Sequence, residues 1–400
     1  MIVIVGAGAG GGILARELAK SGKKVTIIEK GPYIEPKDAF NYYNKYAPEI
    51  DLLATTCVGG STIVSMANMV RALDEELHEY GIDLSNEYEY VEELVGVHEL
   101  DDSHIGRGTQ LFLDAAAELG LNVSKMPKAI REEDCIQCGK CAFGCPVNAK
   151  WTARDFIDEA VEAGAELIDN AEVKDVIFCN LEACGVKYVK DGEERLIKAK
   201  KVILCAGAIG SSQILKRSGL TGTARELFMD PFVTVGGYLK DINFNSEVQM
   251  AGLVVGRNFV LSPHYSTFIN EDGQPFEAKD VLSIMVKTRD DAKGHVSGDG
   301  FVHKVNTIND IRILAEGVAT AGFILEKAGV DPNTICSTVY RGAHPGGTAA
   351  IGKVVDSNLE TEITNLFVCD ASVLPVAPGK PPILTILALA KRLADHLLVR

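Results

Sequence analysis

An α/β protein is predicted: a Rossmann-like nucleotide-binding domain, a smaller α+β domain, and an inserted ferredoxin-like cysteine loop. Three observations carry this expectation. The first thirty residues read as strand, glycine loop, helix and second strand; residues 131–150 hold four closely spaced cysteines; and from about Asp230 to Thr307 the pattern changes to irregular strand-like runs.

The N-terminal stretch fixes the first element. Met1 to Val5 is an apolar strand that runs into Gly6, Gly8 and Gly11 in G-x-G-x-x-G spacing, and the glycines open an Ala/Leu-rich helix. Val25 to Ile28 is a second apolar strand, ending at Glu29, eighteen residues after Gly11. Gly6 permits a tight turn, Gly8 lets backbone approach a pyrophosphate, and Gly11 lets helix pack on strand. The helix N-terminus faces the anion, and Glu29 accepts hydrogen bonds from a ribose diol. A G-x-G-x-x-G alone is weak evidence, but with strand, helix and acid in register it predicts a dinucleotide site for FAD or NAD. Only one such fingerprint is present, so separate fingerprint sites for both are not expected.

Composition narrows the class. The 400 residues are 46% apolar, enough for a large core and about two intimate domains. The net charge of −15 and the lack of a basic stripe exclude a nucleic-acid partner. No signal peptide is expected before a strand that begins at residue 2, and the apolar run Ile383 to Ala390 is too short to span a bilayer. Ten cysteines without a secretory segment imply a reducing compartment, with thiols acting as ligands rather than disulfides. A cytoplasmic location is expected.

Further along, Gly31 to about Tyr46 reads as loop. Gly59, Gly60, Ser61 and Thr62 then form a glycine–hydroxyl turn able to approach a flat or anionic ligand. Asp74 to Asp102 is acidic and helical, Gly108 to Leu119 helical, and Trp151 to Ala163 amphipathic. Val173 to Lys201 alternates as antiparallel strands with turns at Asn180 and Asp191-Gly192. A second strand–glycine–helix junction follows at Lys201 to Ser212, around Ala206 and Gly207. Asn309 caps a long helix to Ala328, and a final helix starts near Thr385. There is no internal repeat and no low-complexity linker.

The densest chemistry is Cys135, Cys138, Cys141 and Cys145, spaced C-x2-C-x2-C-x3-C-P. Such short loops let successive thiolates converge on a 4Fe-4S cluster, as in bacterial ferredoxins. Four-thiolate zinc is the rival, though it favours two separated knuckles. In two-cluster ferredoxins the fourth cysteine serves the other cluster; here no second run exists. The fourth ligand is therefore Cys145 or a remote thiol among Cys57, Cys179, Cys184, Cys205, Cys336 and Cys369, most of which lie in apolar runs suited to the core.

Taken together, these blocks resemble the glucose–methanol–choline (GMC) oxidoreductases, flavoenzymes that oxidise alcohols. Gly6 to Glu29 resembles the family's FAD-binding start, Gly59 to Thr62 its loop along the flavin, and Ala206 to Leu220 its internal motif, with Ser212 where proline is usual. His344-Pro345-Gly346-Gly347-Thr348 resembles the segment of the catalytic histidine, and Asp370-Ala371-Ser372 the C-terminal flavin-contacting motif. The cysteine run and Asp290 to Val296 are similar to the long-chain alcohol oxidase branch. Where the family places a second histidine or asparagine, this chain has Lys380-Pro381-Pro382; neither proline can donate a hydrogen bond, and only an inward Lys380 would. The chain is also shorter than usual members, with the loss falling in the substrate domain.

The resemblance implies an FAD-binding domain at 1–229 with the iron–sulfur segment at 131–150, a substrate domain at 230–340, and a return to the FAD-binding domain at 341–400. It implies FAD, a CH–OH substrate of small or lipid-like kind, His344 as proton acceptor, and either reaction direction. Together with the cysteine run it implies electron exchange with a ferredoxin-like carrier or a redox partner subunit. Its rival is an FAD/iron–sulfur electron-transfer subunit of a larger complex with no alcohol substrate of its own. His264, His295 and His303 lie within reach of the same domain. Phe232, Val233, Met250 and Leu253 would suit either an apolar substrate lining or a core.

Overall fold

The computed structural model describes residues 1–44, 51–220, 222–269 and 276–399; Tyr46, the end of the expected loop, lies outside them. One layer is a five-stranded parallel sheet in the order Leu366–Val368, Lys201–Leu204, Ile2–Val5, Val25–Ile28, Glu166–Ile168. The central strands are buried throughout, as apolar β-branched runs covered on both faces must be. Helices Ala9–Lys20, Ala153–Glu162 and Ile383–Val399 pack about this sheet. The final helix is the most apolar element, and its Leu384, Leu387, Ala388, Ala390 and Ala394 are fully buried. The Ala153 helix starts at a capping box in which the Thr152 N–H donates to the Asp155 carboxylate at 3.0 Å.

The second layer is an eight-stranded sheet built on Pro231–Tyr238, Val281–Thr288, Phe259–Pro263 and Gly252–Val255. It extends beyond residues 230–340, taking in Val123–Lys125 at one edge and Arg341–Gly342 and Asp51–Leu52 at the other. Helices Ile308–Lys327 and Arg107–Glu118 cover it. The expected N-cap Asn309 is corrected to Thr307, whose hydroxyl accepts from the Asp310 N–H while the Asp310 carboxylate accepts from the Thr307 N–H. Ala171–Cys179, Glu182–Lys190 and Glu193–Lys198 form the expected antiparallel meander.

One expectation about cysteines is overturned. Cys179 and Cys184 form a disulfide across the first turn of this meander, where the hairpin brings their Cα atoms to 5.9 Å. They are therefore neither free thiols nor remote metal ligands. The other eight cysteines form no disulfide among the described residues. No helix among the described residues is long and apolar enough to cross a membrane.

Candidate active site

The N-terminal glycines sit at the C-terminal ends of the parallel strands, the place where open α/β sheets bind ligands. Gly6 and Gly11 are required by contact. A Cβ on Gly6, at φ +105°, would lie 2.3 Å from the Cys205 carbonyl oxygen; on Gly11, 2.0 Å from that of Gly6. Gly10, one position earlier, is as tightly held, 2.0 Å from the Cys369 carbonyl oxygen. Gly8 differs, because its side-chain direction is open apart from Gly60 Cα at 3.9 Å. No side chain caps this helix end and no acid lies in its first turn, which leaves it electropositive. Glu29 is buried and braces the turn from below, accepting from the N–H groups of Ala7 at 2.9 Å and Gly31 at 2.8 Å. Burial raises its carboxyl above the usual range, against those two bonds.

The Gly59–Thr62 turn docks directly on this cradle. The Gly59 N–H donates to the Ala7 carbonyl at 2.9 Å, and both Gly59 and Gly60 take left-handed φ values of +97° and +53°. Thr62 is buried, its hydroxyl donating to the Gly59 carbonyl and accepting from the Ala153 N–H; Ser61 is exposed and accepts from the Thr55 N–H. On the other side, the Ala206-Gly207 turn and the Asp370-Ala371 turn are joined by one carboxylate. Asp370 accepts from the Gly207 N–H at 2.9 Å, the Ser211 hydroxyl at 2.5 Å, and the N–H and hydroxyl of Ser372 at 2.8 and 2.6 Å. Asp370 thus holds two backbone turns in place from behind. Ala206, Gly207 and Ala371 each keep partial exposure on that wall. The result is a backbone-lined cleft with an anion-binding end, suited to a dinucleotide.

His344 is carried to this wall by its own glycine loop. The Gly347 N–H donates to the Ala371 carbonyl and the Thr348 hydroxyl to the Ala208 carbonyl, so the histidine loop is tied to both C-terminal turns. A Cβ on Gly346 would lie 2.2 Å from the Phe228 ring and 2.7 Å from the Ala371 carbonyl. His344 Nδ1 is 3.1 Å from the Asp230 carboxylate, whose other oxygen accepts from the Gly379 N–H at 3.0 Å. Lys287 Nζ lies 3.2 Å from His344 Nδ1 and 3.4 Å from Nε2. Asp230 and Lys287 are buried, yet 22% of the His344 side chain stays accessible, so the imidazole faces an opening deep in the protein.

Electrostatics follow from that burial. Desolvation raises the Asp230 carboxyl, and the Lys287 and Arg289 cations and the Gly379 N–H pull it back. Desolvation lowers the Lys287 ammonium, and Asp230 opposes it. For His344 both effects act together: burial and the Lys287 cation push the imidazole well below its ordinary value, keeping it neutral. His264 is pushed down to about 4 by the same two causes. His295 and His303 stand elsewhere, stacked on one another in a small separate sheet. Phe232 and Met250 share an apolar cluster with Met285 that adjoins Ala343, whereas Val233 and Leu253 pack into other cores.

Asp230 and Lys287 are the residues beside His344 that sequence reasoning missed. Their signals are faint: a single acid before Pro231-Phe232-Val233, and a single lysine in the otherwise uncharged strand Val281–Thr288.

The cysteine segment lies behind the Gly59–Thr62 turn. Among the described residues no group of three or more His, Cys, Asp or Glu side chains is drawn together as a metal site, so Cys135, Cys138, Cys141 and Cys145 are four free thiols on two short loops. Two buried lysines anchor the segment. Lys150 donates to the carbonyls of Ile63, Ser65 and Cys141 at 2.5, 2.6 and 3.2 Å, and Lys128 to Met66 and Asn68 at 2.9 and 2.7 Å.

Comparison with known proteins places this geometry. A GMC oxidoreductase family model matches residues 37–264 and its C-terminal counterpart residues 301–390; an NAD(P)-binding Rossmann-like model matches residues 4–34. An uncharacterized protein of Methanocaldococcus jannaschii is 33% identical over 401 residues, 99% of either chain. A long-chain-alcohol oxidase of Arabidopsis thaliana is 26% identical, matching 97% of this chain and 66% of the plant protein. In fold, the chain is similar to pyridoxine 4-oxidase from Mesorbium loti, with TM-score 0.79 at 17% identity over 100% of this chain and 99% of that one. The glycine cradle with its uncapped helix end fits FAD, and the chain belongs to the GMC oxidoreductases, FAD-dependent enzymes acting on CH–OH groups.

Proposed function

We propose that this enzyme oxidises the CH–OH group of a small or lipid-like alcohol, with His344 accepting the hydroxyl proton. Bound FAD supplies the two-electron acceptor for the departing hydride. The observation that carries the reading is the 3.1 Å contact between His344 Nδ1 and the buried Asp230 carboxylate. An Nδ1–H donated to Asp230 puts the lone pair on Nε2, which faces Lys287 Nζ at 3.4 Å until a substrate hydroxyl takes that place, and an imidazole held neutral is ready to take a proton. The histidine loop is bonded to both turns of the flavin wall, so the base and the bound flavin face one reaction space. The Phe232–Met250–Met285 cluster supplies an apolar flank suited to an alkyl chain. The same parts run in reverse for carbonyl reduction. The test is His344→Ala: flavin content retained, turnover of an alcohol panel lost by roughly 10²–10⁴-fold. Unchanged turnover would leave the rival reading, an electron-transfer subunit without an alcohol substrate.

A second element of the proposal is that Cys135, Cys138, Cys141 and Cys145 hold a 4Fe-4S cluster that exchanges electrons with a ferredoxin-like carrier or partner subunit. It rests on the ferredoxin spacing and on two contacts. The Cys145 Sγ accepts the Ala149 N–H at 3.2 Å, and the buried cations of Lys150 and Lys128 act on the Cys141 thiol, opposing the rise that burial causes. Iron, acid-labile sulfide and zinc assays on protein purified without oxygen test it. About four irons and four sulfides per chain support the cluster; zinc alone, or no metal, makes the segment structural.

A further inference from the structure

We propose that Lys287 is the second polar group at the reacting oxygen, taking the place of the donor that Pro381 and Pro382 cannot provide. The inference rests on the reading of His344 as proton acceptor and adds a residue from a different element.

Geometry carries it. Lys287 projects from the buried strand Val281–Thr288, and its Nζ stands 3.2 and 3.4 Å from the two ring nitrogens of His344, beside the edge between them. An oxygen giving its proton to Nε2 stands on the same side of the ring, and rotation about the terminal bonds of the flexible lysine stem brings an N–H to it. The ammonium has three donors. The hydrogen-bonding partner found for it is the His344 ring, and a further face is the Phe232 ring, 5.6 Å from Nζ. The charged or titratable groups facing this centre are Asp230 and His344 beside it, His264 on the neighbouring strand side, and Arg289 two residues on. Lys380, the lysine beside the two prolines, takes no part in that set.

The chemistry balances without a covalent role for the lysine. The C–H bond breaks with its electron pair leaving as hydride to the flavin, which is reduced by two electrons. The O–H bond breaks as its proton passes to His344 Nε2, and a C=O bond forms. Lys287 donates a hydrogen bond to the oxygen as negative charge gathers on it, an electrostatic stabilisation strongest in a dry site.

Two measurements on the holoenzyme test this. In the first, octanal and cyanoborohydride are added to the wild-type enzyme. The aldehyde and the Lys287 amine condense to an imine with loss of water, and cyanoborohydride reduces it to a secondary amine that peptide mass spectrometry locates. Lys287 should be labelled ahead of surface lysines; labelling of surface lysines alone would overturn the proposal. In the second, Lys287→Met is compared with the wild type for flavin reduction by octan-1-ol under anaerobic conditions. The expected result is unchanged flavin content, a rate lower by roughly 10²–10³-fold, and little change in KM. Losing the cation should also move the acid limb of the pH profile upward, because Lys287 depresses both the Asp230 carboxyl and the imidazole; a packing role would leave that limb in place. Wild-type rates in Lys287→Met, with His344→Ala inactive, would overturn this inference alone. Wild-type rates in His344→Ala would overturn the reading beneath it. If Lys287→Met fails to bind flavin, the trapping result on the wild type decides.

Discussion

The two halves of the active site are built in opposite ways. The flavin cradle is made of backbone: Gly6, Gly10 and Gly11 are there because carbonyl oxygens of Cys205, Cys369 and Gly6 occupy the space a side chain would need. The proton site is made of side chains from three distant segments, with Asp230, Lys287 and His344 separated by 57 residues at each step. The first half selects by shape, so adding one carbon atom breaks it. The second works by charge in a dry environment, so removing one charge breaks it while the fold survives.

That contrast sets the order of expected effects. Gly11→Ala should be the most damaging, since its Cβ would meet the Gly6 carbonyl oxygen at 2.0 Å inside the turn that faces the pyrophosphate. Protein purified from this variant should lack flavin, as absorbance shows directly. Normal FAD content would mean that the cradle yields where the contacts say it cannot.

Asp230→Asn comes next and belongs to the charge half. Flavin content should stay near normal, while turnover falls by about 10²-fold or more as the imidazole loses the partner that selects its tautomer. Circular dichroism and flavin absorbance separate this result from unfolding. Equal losses of flavin and of activity would erase the distinction between the two halves.

The pH profile is the third probe. His344 must be neutral to accept a proton, and burial with the Lys287 cation holds its pKa below the ~6.5 of a free imidazole. The acid limb should therefore be set by the Asp230 carboxyl, which burial raises to about 7 and which must be ionised to accept the Nδ1–H, ahead of any protonation of the imidazole. On the alkaline side, burial lowers the Lys287 ammonium, so activity should decline well before the ~10.4 of free lysine. An acid limb unmoved in Lys287→Met would show that the charged lysine is not beside the ring and the carboxylate in solution.

Thr307→Ala is the smallest effect expected. It removes the cap of the helix that covers the eight-stranded sheet and should cost about 1 kcal/mol of stability, read by thermal melting, with turnover unchanged.

What the sequence made legible follows the same division. Gly6, Gly8, Gly11 and Glu29 lie within one strand–helix–strand unit, so spacing alone locates the cradle. Local alternation likewise located the meander from Ala171 to Lys198. His344 was legible only through the resemblance of its Gly-rich loop. Asp230 and Lys287 are only faintly marked in the sequence, because their meaning comes from pairing Pro231–Tyr238 with Val281–Thr288 and with Arg341–Gly342, contacts that no local pattern reports. The Cys179–Cys184 bridge was missed for a different reason: the cysteines were read through the redox compartment, while a hairpin turn had already set them side by side.

On the proposed reading His344, held by Asp230, takes the proton of an alcohol at the flavin wall. Anaerobic rapid mixing tests it most directly, following flavin bleaching in the wild type and in His344→Ala with primary alcohols from short to long chain. The account predicts bleaching by at least one alcohol in the wild type and a loss of roughly 10²–10⁴-fold in the variant at equal flavin content. Equal bleaching rates in the two proteins would contradict it.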